Sequence, residues 1–253
     1  MEYHDSSLGV RYVALSVLQM LRPHRVAGAS KVRVGRFFDG GYAMLDRFTG
    51  VSAAYSLGIN DDVSWDLDMA RRGIPVFQYD HTIERLPGEH PLFHWEKICI
   101  GGQVDESAGV ATIESLIKKN GHERADDMIL KCDIEGAEWL ALRTTPVSVL
   151  RQFRQIVLEV HGFHMLADPQ HAENIRTSIL NLTASHRVVH VHANNFAPWA
   201  IVGGMPVPCV LEFTLARIDE GEFSVSDEVF PTALDMPCYS ERADYYLGRF
   251  EYA

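Results

Sequence analysis

Residues able to do chemistry recur at one kind of place in this chain, the end of a short apolar run. The run Met128–Asp133 closes on Asp133, with Glu135 and Glu138 just beyond it. The run Gln155–His161 closes on Glu159, Val160 and His161, and Arg187–His192 carries His190 and His192 before Asn194. Side chains alternate along an extended strand, so Glu159 shares a face with His161, and His190 with His192 and Asn194. Lys131, Asp133 and Glu135 share one if their strand continues. A lone histidine is most often structural, whereas acids and histidines at several equivalent strand ends can converge on one reacting atom. Two chemistries compete for Asp133, Glu159, His161 and His192. Either histidine could take the proton of an acceptor hydroxyl, because imidazole titrates near neutrality. Alternatively Asp133, Glu159 and a histidine hold a divalent cation, magnesium or manganese, which lowers the hydroxyl's pKa. The spacing matches no metal-ligand motif, so no residue is assigned as a ligand. Glu138 reads equally as a functional residue and as an acid matched to a helix dipole.

Strand candidates alternate with helical stretches, which places those ends in one layer. The strands are expected over Ala53–Ile59, Pro75–Asp80, Lys97–Gly101, Met128–Asp133, Gln155–His161, Arg187–His192 and Val210–Ile218. Helices are expected near Val63–Arg72, Ala111–Lys119, Glu138–Leu142 and Pro169–Ser185. This alternation predicts an α/β fold with a parallel sheet covered on both faces. Glu212 and Thr214 among apolar residues mark the last strand as an antiparallel partner. Val10, Ala14, Val17 and Leu21 fall on one face of an N-terminal helix. Lys31–Leu45 reads as a hairpin turning at Asp39-Gly40-Gly41, with a flap presenting Tyr42 or Asp39 as the alternative. One domain spans 1–253: helix and hairpin over 1–50, core over 51–218, and a charged, Tyr-rich tail over 219–253.

In open α/β sheets ligands bind beyond the carboxyl ends of the strands. The first strand ends Ser56-Leu57-Gly58-Ile59-Asn60-Asp61-Asp62, where Gly58 permits close approach of a ligand and Asp62 or Ser64 caps the next helix. Asp80, followed by His81, ends the second strand where a carboxylate bonds ribose hydroxyls. A pyrophosphate needs several glycines and a helix start free of anions. This turn has one glycine and places Asp61 and Asp62 there. S-adenosylmethionine carries an ammonium and a sulfonium instead of a pyrophosphate, and an acidic turn suits both.

Lys131-Cys132-Asp133-Ile134-Glu135-Gly136-Ala137-Glu138 resembles the signature K-x-D-[IV]-E-G-x-E of the FkbM-type methyltransferases. Asp39-Gly40-Gly41-Tyr42 and Tyr55–Asp66 resemble further segments of that group, in the same order along the chain. The resemblance implies a class I methyltransferase fold, Rossmann-like, with seven strands of which one is antiparallel. It implies S-adenosylmethionine as donor and a hydroxyl of a small molecule, such as a sugar or secondary metabolite, as acceptor. It assigns Gly58, Asn60 and Asp61 to the cofactor loop, Asp80 to the ribose with His81 beside it, and Asp133 to the methionine end. A non-catalytic binding module on the same fold is the second reading, and a nicotinamide oxidoreductase the third.

The 23 basic and 34 acidic residues give a formal net charge of −11, which repels phosphate backbones, and no basic run offsets it. Nucleic acid is therefore not an expected partner. Leu8–Leu21 is too short and too polar to span a bilayer, so no membrane partner is expected either. Met1–Asp5 lacks the basic start of a signal peptide, and Cys99, Cys132, Cys209 and Cys238 show no zinc or redox spacing. These features suit a reducing cytoplasm.

Overall fold

The computed structural model describes residues 4–252. Its centre is a seven-stranded sheet of β1 (Ala54–Leu57), β2 (Val76–Tyr79), β3 (Phe93–Glu96), β4 (Met128–Cys132), β5 (Phe153–His161), β6 (His186–Ala193) and β7 (Val210–Arg217). The order across the sheet is β3-β2-β1-β4-β5-β7-β6. All neighbours run parallel except at β7, which is antiparallel to both β5 and β6. This is the mostly parallel Rossmann-like sheet with one antiparallel strand that the chain's patterning and its family resemblance predict.

One strand was misplaced by the apolar pattern. Lys97–Gly101 is not the third sheet strand; only Cys99–Ile100 is extended, and it pairs with Val110–Ala111 outside the main sheet. The sheet's edge is Phe93–Glu96, hydrogen-bonded to β2. Edge strands are half-solvated and lack the continuous apolar run that marks a buried strand. No residue of Phe93–Glu96 is fully buried.

Alternation along the strands sorts the two faces. Tyr55, Leu57, Leu130, Cys132, Ile156 and Leu158 pack under α1 (Leu8–Met20), α3 (Ile113–Lys119), α4 (Glu138–Thr144) and α5 (Pro169–Thr183). The N-terminal helix buries Ala14, Val17 and Leu18, and Leu21 just beyond its end. The opposite face holds Ala54, Val76, Ile129 and Val157 beneath α2 (Ser64–Arg71) and the hairpin Lys31–Val34/Tyr42–Leu45. Asp66, on the first turn of α2, is completely buried on this face and accepts from the Gln78 side chain at 3.0 Å. It is therefore an interior group, not the exposed dipole partner its position suggests.

The hairpin is pinned to the sheet by polar groups with no access to water. The Gln155 side chain accepts from Leu45 N at 2.9 Å and donates to Leu45 O at 3.1 Å, and Thr214 Oγ1 donates to Ala43 O at 2.7 Å. The tail also belongs to this body. Phe223–Val225 pairs with His24–Val26, and Phe230, Cys238 and Phe250 are buried. Among the described residues no helix is long and apolar enough to cross a membrane.

Gln155→Leu keeps the volume but leaves the Leu45 N–H and C=O buried without partners. At about 1–3 kcal/mol per orphaned group, unfolding free energy in urea should fall by roughly 2–5 kcal/mol. A loss under about 0.5 kcal/mol would show that the amide does not hold the hairpin.

Candidate active site

A cavity of about 770 Å³ opens beyond the carboxyl ends of β1, β2, β4 and β5, within the usual size range of ligand sites. A second groove, about 440 Å³ and lined by Arg124, Gln152 and Arg217, lies at the opposite strand ends. The topology of parallel sheets favours the first.

One wall is the loop after β1. The register sets Leu57 opposite Cys132, which brings Gly58 against Asp133. Gly58 has φ +83°, and a Cβ there would lie 1.6 Å from the Asp133 carbonyl oxygen, so no other residue fits. Lys131 Nζ donates to the Gly58 carbonyl at 2.8 Å. Asn60 adopts a left-handed φ of +51°. Asp80 fastens this loop from the next strand. Its Oδ2 accepts from Ile59 N at 2.8 Å and Asn60 N at 2.9 Å, and its Oδ1 accepts from Thr82 N and Oγ1. Burial alone would raise its pKa, but these hydrogen bonds hold it below the ordinary carboxylate value. All four acceptor positions are taken by the chain, so Asp80 shapes the loop rather than standing free as the expected ribose partner. His81 and Asn60 are exposed at the rim.

The acids foreseen at this turn, Asp61 and Asp62, line the cavity. Asp62 accepts from Ser64 N and Oγ beside the start of α2, whose N-cap position falls on Val63 without a side-chain cap, and sits 3.5 Å from Arg36. Asp61 is largely exposed, 3.9 Å from Arg36. Both are partly neutralised by a guanidinium on the hairpin loop. That loop is a turn and a wall at once, with Gly40 at φ +81° and Asp39, Gly40 and Tyr42 lining the cavity.

The deep wall comes from β4, β5 and β7. Strand β4 ends at Cys132, and Glu135 at φ +55° and Gly136 at φ +105° turn the chain sharply, which breaks the alternation expected to carry Glu135 onto the Lys131 face. Glu138 makes the turn possible. It is fully buried and its Oε1 accepts from Ile134 N and Gly136 N, both at 2.9 Å. Its role is thus to clamp the motif loop from inside. Among the described residues Asp133 makes no side-chain hydrogen bond, and its Oδ1 is buried without a partner. Burial lifts its pKa to about 7, against the pull of Lys131 and His161.

His161 lies 3.4 Å from Glu138, 3.5 Å from Glu135 and 3.6 Å from Glu159. Burial lowers its pKa, and the surrounding Glu138, Asp133 and Glu135 outweigh this, so it sits above the ordinary histidine value. Glu159 is 6 % exposed and accepts only from Asn194 Nδ2, at 3.0 Å. Burial, with Asp133, Glu212 and Asp39 nearby, drives its pKa well up. Asp133, Glu159 and His161 offer ligand atoms within 4.8 Å of one another, as do Asp39, Glu159 and Glu212. Two carboxylates at that distance repel by roughly 3 kcal/mol at an effective dielectric of about 20.

His192 stands apart from the other expected reaction-site residues. The register aligns Glu159, Glu212 and His192 across β5, β7 and β6, with Glu212 in between. His192 Nδ1 bonds Glu212 at 2.6 Å and Nε2 bonds Asp244 of the tail at 3.0 Å. It does not line the cavity, and both nitrogens are engaged. Burial lowers its pKa, but Glu212 and Asp244 push it up to about 10. His192 is thus a buried imidazolium and not a proton acceptor. His190 is a neutral counterpart: Lys31 lies 3.4 Å from its Nδ1, which assigns the Nε2 proton to Asp235 at 2.7 Å. Neither tail acid was foreseen, because no local pattern ties residues 235 and 244 to β6. Ile98–Ile100 and Phe196 also line the cavity unforeseen.

A group whose folded pKa is raised contributes stability that is complete below its unfolded pKa, about 6.5 for histidine, and lost as pH rises through the folded value. His192 should therefore make stability fall as pH rises toward and through 10. His192→Gln should lose stability at pH 7, by about 3–5 kcal/mol for a broken buried pair. Its alkaline slope should flatten, as measured by denaturant melts at pH 7 and 10. Parallel curves for the two proteins would reject the imidazolium assignment.

No curated protein matches the chain. A family model described as the methyltransferase FkbM domain matches residues 84–185, a stretch that contains β3, β4, β5 and the whole Lys131–Glu138 motif. With the seven-stranded order β3-β2-β1-β4-β5-β7-β6 around it, this stretch is similar to the FkbM methyltransferase domain, a family that implies S-adenosylmethionine.

Proposed function

We propose that the chain transfers a methyl group from S-adenosylmethionine to a hydroxyl of a small molecule. The observation that carries this reading is the unpartnered, buried Asp133 oxygen facing a carboxylate-lined cavity beside Gly58. An anionic wall without enough internal cations suits a ligand bearing an ammonium and a sulfonium, and the Gly58 cradle lets it approach the backbone. Gly58 and Asn60 hold the cofactor loop, with Asp80 behind them, Asp61 and His81 at the rim, and Asp133 facing the methionine ammonium. When bound, the cofactor would supply an electrophilic methyl carbon that an acceptor oxygen attacks in line, with the thioether sulfur as leaving group. Transfer to the acceptor oxygen would leave a hydroxyl proton to be removed. His161 receives it, positioned by the carboxylates of Glu138, Glu135 and Glu159 around its ring.

Calorimetry should detect S-adenosylhomocysteine binding and no NAD binding. NAD binding at micromolar concentration with no response to S-adenosylhomocysteine would restore the oxidoreductase reading. Binding of the homocysteine product without turnover of any hydroxyl acceptor would favour the non-catalytic module. Asp80→Ala should weaken S-adenosylhomocysteine at least tenfold because the 58–60 loop loses its anchor, and unchanged affinity would remove Asp80 from the site. Turnover should rise with pH through a pKa above about 6.5 as His161 loses its proton. His161→Gln should flatten that limb and lower kcat by about 10²–10⁴.

A divalent cation is the second reading, favoured by the convergence of Asp133, Glu159 and His161 within 4.8 Å. These residues would hold magnesium or manganese and orient the acceptor oxygen. Chelation should then abolish turnover and added metal restore it, whereas full activity in chelator leaves His161 as the base.

A further inference from the structure

The acceptor side of the cavity has a chemistry that goes beyond a generic hydroxyl site. Asp39, Glu159 and Glu212 bring carboxylate oxygens within 4.8 Å of one another from the hairpin loop, β5 and β7. Glu212 is already matched by His192 and also accepts from the Cys238 thiol. Glu159 has one oxygen on Asn194, and the nearest cation to the Asp39 carboxylate is Arg36 at 3.9 Å. Arg36 is itself shared with Asp61 and Asp62, and Lys131 is committed to the Gly58 carbonyl. Seven carboxylates line the cavity against these two permanent cations, with His81 and His161 the other titratable bases on its wall.

A second observation is independent of the acids. Tyr42 is 4 % exposed and lines the same cavity, yet its hydroxyl has no hydrogen-bond partner among the described residues. A phenol whose ring is buried and whose hydroxyl opens on the cavity without a partner in the chain is free to hydrogen-bond a ligand. Burial, with Asp133, Glu159, Glu212 and Asp39 close by, raises its pKa well above the ordinary tyrosine value, so it keeps its proton. Phe196, 55 % exposed on the cavity wall and packed on Tyr239 at 5.0 Å, offers an aromatic face at the mouth. Such a face attracts cations.

We propose that Tyr42, Asp39 and Glu159 form an acceptor subsite for a protonated amine carried by the same molecule as the methylated hydroxyl, and that this subsite rejects acceptors bearing phosphate or carboxylate. The inference rests on the methyltransferase reading and deepens it. The phenol and the two carboxylates together offer acceptors to an ammonium, whose three N–H groups need them. An anion there would add to an unbalanced negative wall.

The test uses the full chain saturated with S-adenosylhomocysteine and three sugars that differ in charge on one ring: glucosamine, glucose and glucose 6-phosphate, at pH 7. Calorimetry should show glucosamine binding at least tenfold tighter than glucose, with glucose 6-phosphate undetectable. Tyr42→Phe and Asp39→Asn should each reduce glucosamine affinity at least fivefold, while both variants keep their affinity for S-adenosylhomocysteine and so report a folded protein. Failure of the wild type to bind S-adenosylhomocysteine sinks the methyltransferase reading and this one with it. Three results overturn this inference alone: no glucosamine binding at 20 mM in the loaded protein, glucose 6-phosphate binding as tightly as glucosamine, or glucosamine binding that requires magnesium.

Discussion

Carboxylates crowded into a poorly solvated sheet edge are the constraint around which this protein is arranged. Strand register brings Glu159 and Glu212 side by side, and the ends of β4 and the hairpin add Asp133 and Asp39. In water each would be stabilised separately; here they share a space where their repulsion is weakly screened. The chain neutralises part of this charge and leaves the rest. Glu212 is paired with a protonated His192, and Glu138 is consumed by backbone N–H groups. Asp133 and Glu159, which face the cavity, are left to raised pKa values. Carboxyl groups with perturbed ionisation are thus concentrated where a ligand can reach them, a pattern typical of functional sites.

The rest of the architecture holds that arrangement still. Gly58 allows β1 and β4 to close on each other at the point where the cofactor loop leaves the sheet. Asp80 and Glu138 each bind the backbone N–H groups of a neighbouring turn, so these two acids act as internal fasteners. The tail completes the frame: Asp235 and Asp244 fix His190 and His192, and Asn195 donates to Tyr239 O and accepts from Tyr239 N. A segment that resembles an appendage in sequence therefore sets the ionisation of residues on β6.

Much of this was legible before any coordinates. The alternation of apolar runs and amphipathic stretches located six of the seven sheet strands, and the polar face of Val210–Arg217 marked the antiparallel one. Residues that end strands, such as Asp133, Glu159 and His161, do gather at one cavity, because parallel strands deliver their carboxyl ends to a common edge. The edge strand Phe93–Glu96 escaped because half-solvated strands carry no continuous apolar run. Glu138 reads equally as a functional residue and as a helix-dipole acid, and it is fully buried, since a helix position says nothing about what packs over it.

What the sequence determined alone is everything that depends on neighbours in the chain: strand and helix periodicity, the glycine that a sharp turn requires, and the motif that carries the family. What only the tertiary structure decided is the charge state and duty of the polar groups. His161 and His192 both lie near the carboxyl ends of their strands, β5 and β6, yet one faces the cavity and the other is locked between Glu212 and Asp244. An ionisable group's energy is set by solvent access and by charges a few ångströms away, and those charges come from residues 20 and 52 positions distant in the chain.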